Sequence, residues 1–262
     1  MKQILLLSAS LLVGASALAK VVTQTVEYKD GDKVLAGFLA YDDALKGKRP
    51  GVLVVHEWLG LGDNAKRRAE QLAKLGYVAF AADMYGKGVY AKDHEEAGKL
   101  AGAFTKDRSL MRQRALAAVN VLKSQKTVDP ERMAAIGYCF GGTTALELAR
   151  AGAPLKGVVS FHGNLSNPRP ETTNAVKTKI LVCQGGDDQY TLKDLPAFED
   201  EMRKADADWQ INTYSHAVHG FTVKEDGDDP KTGLAYNAEA DARSWRDMQS
   251  FFDEIFKEPG KG

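Results

Sequence analysis

The sequence predicts an α/β fold in which helices flank a mostly parallel central sheet. Short apolar runs alternate with helical patterns along almost the whole chain, as in proteins built from strand–helix–strand units. Two runs, 51–55 and 179–183, are almost continuously apolar, which is typical of central strands covered on both faces. The composition agrees, because 262 residues with 44% hydrophobic and 27% charged residues suit one large domain.

The first 19 residues are predicted to be a signal peptide. Lys2 precedes a short apolar core at 4–13, and Ala17-Leu18-Ala19 has the small-residue pattern of a cleavage site before Lys20. The core is too short to span a bilayer. The mature chain, 20–262, is therefore expected to be exported to a periplasm, to form a single domain and to have no membrane insertion.

The mature chain is predicted to begin with an antiparallel hairpin. The segment 21–28 follows a period of two, Asp30-Gly31-Asp32 is a turn, and 34–40 follows as the second strand. After the strand at 51–55, Asp63 is expected to cap a helix that Gly76 ends. Further strands are predicted at 77–82, after Asp129-Pro130, and at 157–161, 179–183 and 209–214. Further helices are predicted after Cys139, at 196–205 and at 238–257. The segment 92–125 is predicted to form two helices, with a break near 105–107.

Charge and motif content narrow the function classes. Lys+Arg and Asp+Glu both number 35, so the formal net charge is +0 and no basic surface predicts a nucleic-acid partner. No glycine-rich phosphate-binding motif follows a strand, which argues against a nucleotide. Cys139 and Cys183 are expected to be free thiols, and their spacing matches no zinc site. We therefore expect no metal and no cofactor, and the sequence does not define the oligomeric state.

The most informative stretch is Gly137-Tyr138-Cys139-Phe140-Gly141, which joins an apolar run to a good helix sequence. It has the strand–turn–helix context of a nucleophile elbow, with Cys in place of Ser. Glycine on both sides would relieve the tight turn, and a helix N-terminus would favour negative charge on the sulfur. The Phe140 amide is predicted to bind an oxyanion. The alternative is a buried structural cysteine before a glycine-rich turn.

Candidate acid and base groups follow two later strands. Asp187 and Asp188 follow one strand and His219 follows the last, so all lie at the carboxyl edge of the sheet, where sites form. The order nucleophile, acid, histidine is that of the α/β-hydrolase fold. Position in the sequence alone does not decide whether Asp187 or Asp188 is the acid. His216 is expected to support the site or to be structural, and the competing interpretation of a His216–His219 metal pair lacks an evident third ligand.

Glu57 directly follows the buried strand at 51–55. It is either a solvated loop residue or a carboxylate that faces Cys139, with the Trp58 amide as second oxyanion donor. A carboxylate beside the sulfur would resist a second negative charge. We therefore expect a neutral resting thiol that is hydrogen-bonded to Glu57 and protected from oxidation until substrate displaces this carboxylate.

Five segments together resemble the dienelactone hydrolase family of the α/β-hydrolases. The resemblance implies a Cys–His–Asp triad of Cys139, His219 and Asp188, the last preferred to Asp187 as the fourth residue of Gly-x-x-Asp, and it implies that Glu57 contacts the thiol. The segments span nearly the whole mature chain in family order: His56-Glu57-Trp58-Leu59-Gly60, Asp83-Met84-Tyr85-Gly86, Gly137-Tyr138-Cys139-Phe140-Gly141-Gly142, Gly185-Gly186-Asp187-Asp188 and His219-Gly220-Phe221.

The resemblance implies hydrolysis of small esters or lactones through a thioacyl-enzyme. Lys87, Tyr85 and Tyr138 are predicted to bind the substrate. The family enzyme binds its substrate's carboxylate with two arginines, and this chain has Lys87 and Val223 at those places. Lysine attracts an anion but does not bind it bidentately.

Two other function classes stay open at this point. An exported binding protein could keep the pocket on a hydrolase scaffold and lose the chemistry, since a fold does not determine a function. A thiol redox protein could use Cys139, although no resolving cysteine lies nearby in the sequence.

Overall fold

The computed structural model describes residues 20–169, 173 and 176–257, and the predicted signal peptide at 1–19 lies outside them. The described residues form one sheet of eight strands. The strands are β1 (Val21–Asp30), β2 (Lys33–Asp42), β3 (Arg49–Val55), β4 (Val78–Ala82), β5 (Val128–Tyr138), β6 (Gly157–Phe161), β7 (Lys179–Gly185) and β8 (Trp209–Tyr214).

The strand order across the sheet is β1-β2-β4-β3-β5-β6-β7-β8. β1 pairs antiparallel with β2, and β2 pairs antiparallel with β4. From β4 to β8 every neighbouring pair is parallel. The predicted mostly parallel sheet with an N-terminal antiparallel hairpin is confirmed.

Helices cover both faces of the sheet, and each face has its own apolar cluster. Alternate residues of β3 supply the two clusters: Leu53 and Val55 point to one face, Val52 and Val54 to the other. This explains the continuous apolar run in the sequence. The helices are α1 (Asp63–Lys74), α2 (His94–Lys106), α3 (Arg108–Lys123), α4 (Phe140–Arg150), α5 (Leu195–Lys204) and α6 (Ala238–Ile255).

The predicted break between α2 and α3 is confirmed at Asp107. This residue ends α2, and its carboxylate accepts the Leu110 amide proton at 3.0 Å to cap α3. The start of β5 differs from the prediction, because the strand already includes Pro130. Its pairing with β3 shifts between Pro50 and Gly51, and this irregularity accommodates a residue that has no N–H to donate.

The parallel strands place several polar side chains at one edge of the sheet. Glu57, Cys139, His162, Asp188 and His219 follow the carboxyl ends of β3, β5, β6, β7 and β8 within a few residues. In such sheets ligands bind at this edge. None of the helices in the described part of the chain combines the length and apolar character needed to cross a membrane.

Candidate active site

Cys139 occupies a strained turn between β5 and α4. Its φ is +52° and its ψ is −114°, a conformation that costs energy for a residue with a side chain. A Cβ on Gly137 would overlap the Gly141 carbonyl, and a Cβ on Gly141 would overlap the carbonyls of Val55 and His56. The glycines are therefore required on both sides, and the elbow projects the thiol from the sheet edge.

Cys139, His219 and Asp188 form a continuous hydrogen-bonded chain. His219 Nε2 lies 3.1 Å from Cys139 Sγ, and His219 Nδ1 lies 2.9 Å from Asp188 Oδ2. Asp188 is fully buried, and its Oδ1 accepts the Tyr190 amide proton at 3.0 Å. Burial opposes protonation of His219, but the charges of Cys139 and Asp188 outweigh it and raise the His219 pKa to about 10. The geometry thus favours a protonated His219 ring held between the Cys139 sulfur and the Asp188 carboxylate.

The neighbouring aspartate and histidine are placed differently. Asp187 is exposed, and its amide donates to the Ala217 carbonyl at 3.0 Å. His216 is exposed as well. Among the described residues, no group of three His, Cys, Asp or Glu side chains could hold a metal ion. Of the two aspartates that the spacing left open, the structure brings Asp188 to His219.

The amides of Phe140 and Trp58 are free to bind an anion. Phe140 is the first residue of α4, and within the described residues neither amide donates to a protein acceptor. The segment before Trp58 is fixed by His56, whose Nδ1 donates to the Glu57 carbonyl and whose Nε2 accepts the Met84 amide proton at 3.2 Å. Burial lowers the His56 pKa to about 4, so the ring is neutral and can accept at Nε2.

The structure corrects the expected partner of Glu57. Its Oε1 accepts a hydrogen bond from Asn64 Nδ2, and no hydrogen bond joins its carboxylate to Cys139 within the described residues. Asn64, in the first turn of α1, is itself held by Arg67, whose Nη2 lies 2.6 Å from Asn64 Oδ1. Burial raises the Glu57 pKa to about 7 against the opposing hydrogen bond from Asn64. The thiol bonds to His219 instead.

His162 is a site residue that the sequence interpretation missed. Its Nδ1 accepts the Cys139 amide proton at 3.2 Å, its Nε2 lies 2.8 Å from Thr222 Oγ1, and its ring contacts the His219 ring edge-on with centroids 5.2 Å apart. Burial and then the charge of His219 hold its pKa well below the ordinary value, so it is neutral. Its place directly after β6 was the available signal, because the other site residues also follow strands.

Cys139, His219, Glu57 and Trp58 line a cavity of about 810 Å³, referred to below as the Cys139 cavity. This volume suits a small organic substrate. Val223, at one of the two arginine positions, also lines it.

The three predicted substrate-binding residues do not reach this cavity. Tyr138 is fully buried, with its ring stacked on Phe161 at 4.7 Å. Tyr85 is buried and its Oη donates to the Trp58 carbonyl at 2.8 Å, so it supports the loop that carries Trp58. Lys87 Nζ pairs with Glu27 Oε1 at 2.6 Å on the surface. The periodicity of the sequence and the positions of these residues in motifs could not show where their side chains point.

Comparison with known families agrees with the geometry. A sequence model described as the Dienelactone hydrolase family matches residues 35–256. The chain belongs to the dienelactone hydrolase family. It is therefore an enzyme, a hydrolase of ester or lactone bonds.

Individual members of the family show how far the similarity extends. A putative carboxymethylenebutenolidase of Aquifex aeolicus is 30% identical, with 89% of this chain and 99% of that protein covered. The crystal structure of a dienelactone hydrolase-like promiscuous phosphotriesterase from metagenomic libraries superposes with a TM-score of 0.85 at 40% identity, over 90% of this chain and 99% of that one. A putative dienelactone hydrolase from Klebsiella pneumoniae has the same fold, with a TM-score of 0.76 at 20% identity over 90% and 99% of the two chains.

Proposed function

We propose that the enzyme hydrolyses small carboxylic esters or lactones with Cys139 as nucleophile, His219 as base and Asp188 as the orienting acid. The observation that carries this proposal is the hydrogen-bonded chain Sγ–Nε2 and Nδ1–Oδ2, at 3.1 Å and 2.9 Å. A non-catalytic binding protein has no need of that alignment, and a redox thiol has no need of two unpaired amides beside it.

In the proposed mechanism the Cys139 thiolate attacks the ester carbonyl carbon. The amides of Phe140 and Trp58 bind the resulting oxyanion. Collapse of the tetrahedral intermediate breaks the ester bond, and the leaving alkoxide takes a proton from His219 Nε2. His219 then accepts a proton from water, whose oxygen attacks the thioacyl carbon. The thiolate leaves, and the carboxylic acid is released.

Turnover and trapping of the intermediate test this mechanism. We expect the mature protein to hydrolyse 4-nitrophenyl acetate and cis-dienelactone, and mass spectrometry of a quenched reaction to find an acetyl group on the peptide that contains Cys139. Cys139→Ala should lose both signals, and Cys183→Ser should keep them because that thiol is fully buried. A folded protein with a free Cys139 thiol that turns over neither substrate contradicts the proposal.

Phosphotriesters are a second candidate substrate class. The observation that favours them is the 40% identity to a relative described as a promiscuous phosphotriesterase. A thiolate can displace an aryloxide at phosphorus as it does at a carbonyl, with the same amides facing the oxygen that gains charge. Release of 4-nitrophenol from paraoxon by wild type but not by Cys139→Ala would support this activity, and equal release by both would exclude Cys139 from it.

We also propose that the enzyme acts outside the cytoplasm, as its N-terminal segment predicts. The first described strand begins at Val21, so all eight strands of the described residues lie within the predicted mature chain. The proposed partners of the mature protein are small-molecule ester or lactone substrates.

A further inference from the structure

Arg108 is a buried cation in the wall of the Cys139 cavity. It is the first residue of α3 and is 7% exposed. Within the described residues its guanidinium has one hydrogen-bond partner, the Met111 sulfur at 3.6 Å from Nη1, and its Nε has none. Burying a charge is costly unless it is paired and hydrogen-bonded. An unpaired buried arginine therefore indicates a missing anionic partner.

Glu147, the carboxylate whose charge acts on Arg108, and Glu201, which shares Arg150 with Glu147, are already paired with other arginines. Glu147 lies 2.7 Å from Arg112 Nε and 3.1 Å from Arg150 Nη1, and Glu201 lies 2.8 Å from Arg150 Nη2. Burial lowers the pKa of Arg108. The negative charge of Glu147 raises this pKa, and the positive charges of Arg150 and Arg112 lower it further. Arginine nevertheless stays protonated in proteins. In this described cluster Arg108, Arg112 and Arg150 have two carboxylates between them, and Arg108 is the one of the three that lines the cavity.

No other lysine or arginine is among the described residues that line the cavity. Of the two positions where the family pattern has arginines, Lys87 is paired with Glu27 outside the cavity and Val223 is apolar. The other charged lining residues are acids or histidines, and the acids are Glu57, Asp63, Glu225 and Asp226. These acids repel an anionic group on a bound ligand, and Arg108 attracts it at a place in the lining other than that of the protonated His219.

We propose that Arg108 determines specificity by binding a carboxylate that the substrate carries in addition to its reacting ester. This inference rests on the proposed ester hydrolysis at Cys139. A guanidinium can hold a carboxylate through two parallel N–H···O bonds, and the contact is strong where water is excluded. The favoured substrates are hemiesters and ester acids, in which one end is anionic and the other reacts.

Matched pairs of esters test the proposal. One pair carries the charge in the acyl chain: mono-4-nitrophenyl glutarate against 4-nitrophenyl pentanoate. The other carries it in the leaving group: 4-acetoxybenzoate against its methyl ester. We expect wild type to prefer the anionic member of at least one pair in kcat/KM. Arg108→Met should reduce kcat/KM about 10–100-fold for that member and less than about 3-fold for the neutral one, since a charged hydrogen-bonded contact is lost.

Two further variants separate recognition from folding and net charge. Arg108→Lys keeps a point charge and should restore part of the preference. Lys106→Met removes one charge from an exposed side chain two residues away, outside the cavity lining, and should leave both pairs unchanged. A ratio of anionic to neutral kcat/KM that Arg108→Met leaves unaltered in both pairs overturns the proposal.

A ligand-protection measurement distinguishes failure of the anion site from failure of the proposed hydrolysis. Without any turnover, glutarate should still slow alkylation of Cys139 by iodoacetamide in wild type and not in Arg108→Met. If no ester is hydrolysed but this difference is present, the proposed hydrolysis fails and the anion site stands. Equal protection of the two proteins, or none in either, overturns the anion site.

Discussion

Asp187 and Asp188 are adjacent in sequence and differ completely in environment. Asp188 is fully buried and bonds to His219, whereas Asp187 is exposed. We expect Asp188→Asn to reduce turnover by about 10⁴-fold, as loss of the orienting acid does in Ser–His–Asp enzymes, and Asp187→Asn to change it less than about 10-fold. Steady-state kinetics with 4-nitrophenyl acetate checks this, and a larger loss in Asp187→Asn would contradict the assignment.

Glu57 should make stability depend on pH. Burial raises its pKa from 4.5 to about 7 in the native protein. Below pH 4.5 the Glu57 carboxyl is protonated in both the native and the unfolded state. Between pH 4.5 and 7 it ionises in the unfolded state first. The free energy of unfolding therefore falls as pH rises, by at most about 3 kcal/mol. Glu57→Gln lacks this fall and should gain stability relative to wild type from pH 4.5 to 8. Urea unfolding of both proteins measures this difference, and a parallel pH dependence would contradict the raised pKa of Glu57.

Several site residues could be predicted from the sequence, because motifs fix them. Cys139 and His219 follow strands and lie in short, specific patterns. Asn64 and Arg108 could not be predicted, since their importance comes from what they contact across the fold. The pairing of Glu57 with Asn64 depends on how α1 packs beside β3, and the unpaired state of Arg108 depends on where Glu147 points.

At the level of elements, the β5–α4 junction leaves no room for a side chain at Gly141. A Cβ there would meet the backbone of Val55 and His56, which cannot move without displacing β3. We expect Gly141→Ala to destabilise the protein by about 1–3 kcal/mol and to abolish activity, because overpacking shifts the elbow. Denaturant unfolding and turnover measure both effects.

Gly98 provides the matched control for that substitution. It lies within α2, and a Cβ there meets no atom within 4 Å. Gly98→Ala should stabilise the protein by about 0.5–1 kcal/mol through helix propensity, with unchanged turnover. If Gly141→Ala behaved in the same way, the elbow would not be sterically constrained.

Most elements could be predicted because their signals are local. The apolar run of β3, the period-two hairpin and the capping Asp107 each act within a few residues. The early start of β5 could not be predicted, since Pro130 normally argues against a strand and the irregular pairing with β3 that accommodates it is a property of two segments.

For the molecule as a whole, the proposed export predicts where the protein accumulates in the cell and at which residue it begins. When the full sequence is expressed in a bacterium with a periplasm, we expect the periplasmic fraction to contain a protein whose N-terminus is Lys20. A version that starts at Lys20 should remain in the cytoplasm and keep its activity. N-terminal sequencing of both fractions checks this, and recovery of the uncleaved chain from the cytosol alone would argue against export.

The position of Cys139 in the wall of its cavity also limits which disulfides this thiol can form. In a disulfide between two proteins the two Cα atoms lie about 5.5–6 Å apart. Another folded chain cannot approach Cys139 that closely, because this thiol is only partly exposed and lies in the wall of a cavity. Cys183 is fully buried, and burial raises its pKa to about 12. Air-oxidised protein should therefore stay free of disulfide-linked dimers on a non-reducing gel, while dithionitrobenzoate labels one thiol per chain. If the protein is exported as proposed, Cys139 would form mixed disulfides only with small thiols, and exchange with another small thiol would release it.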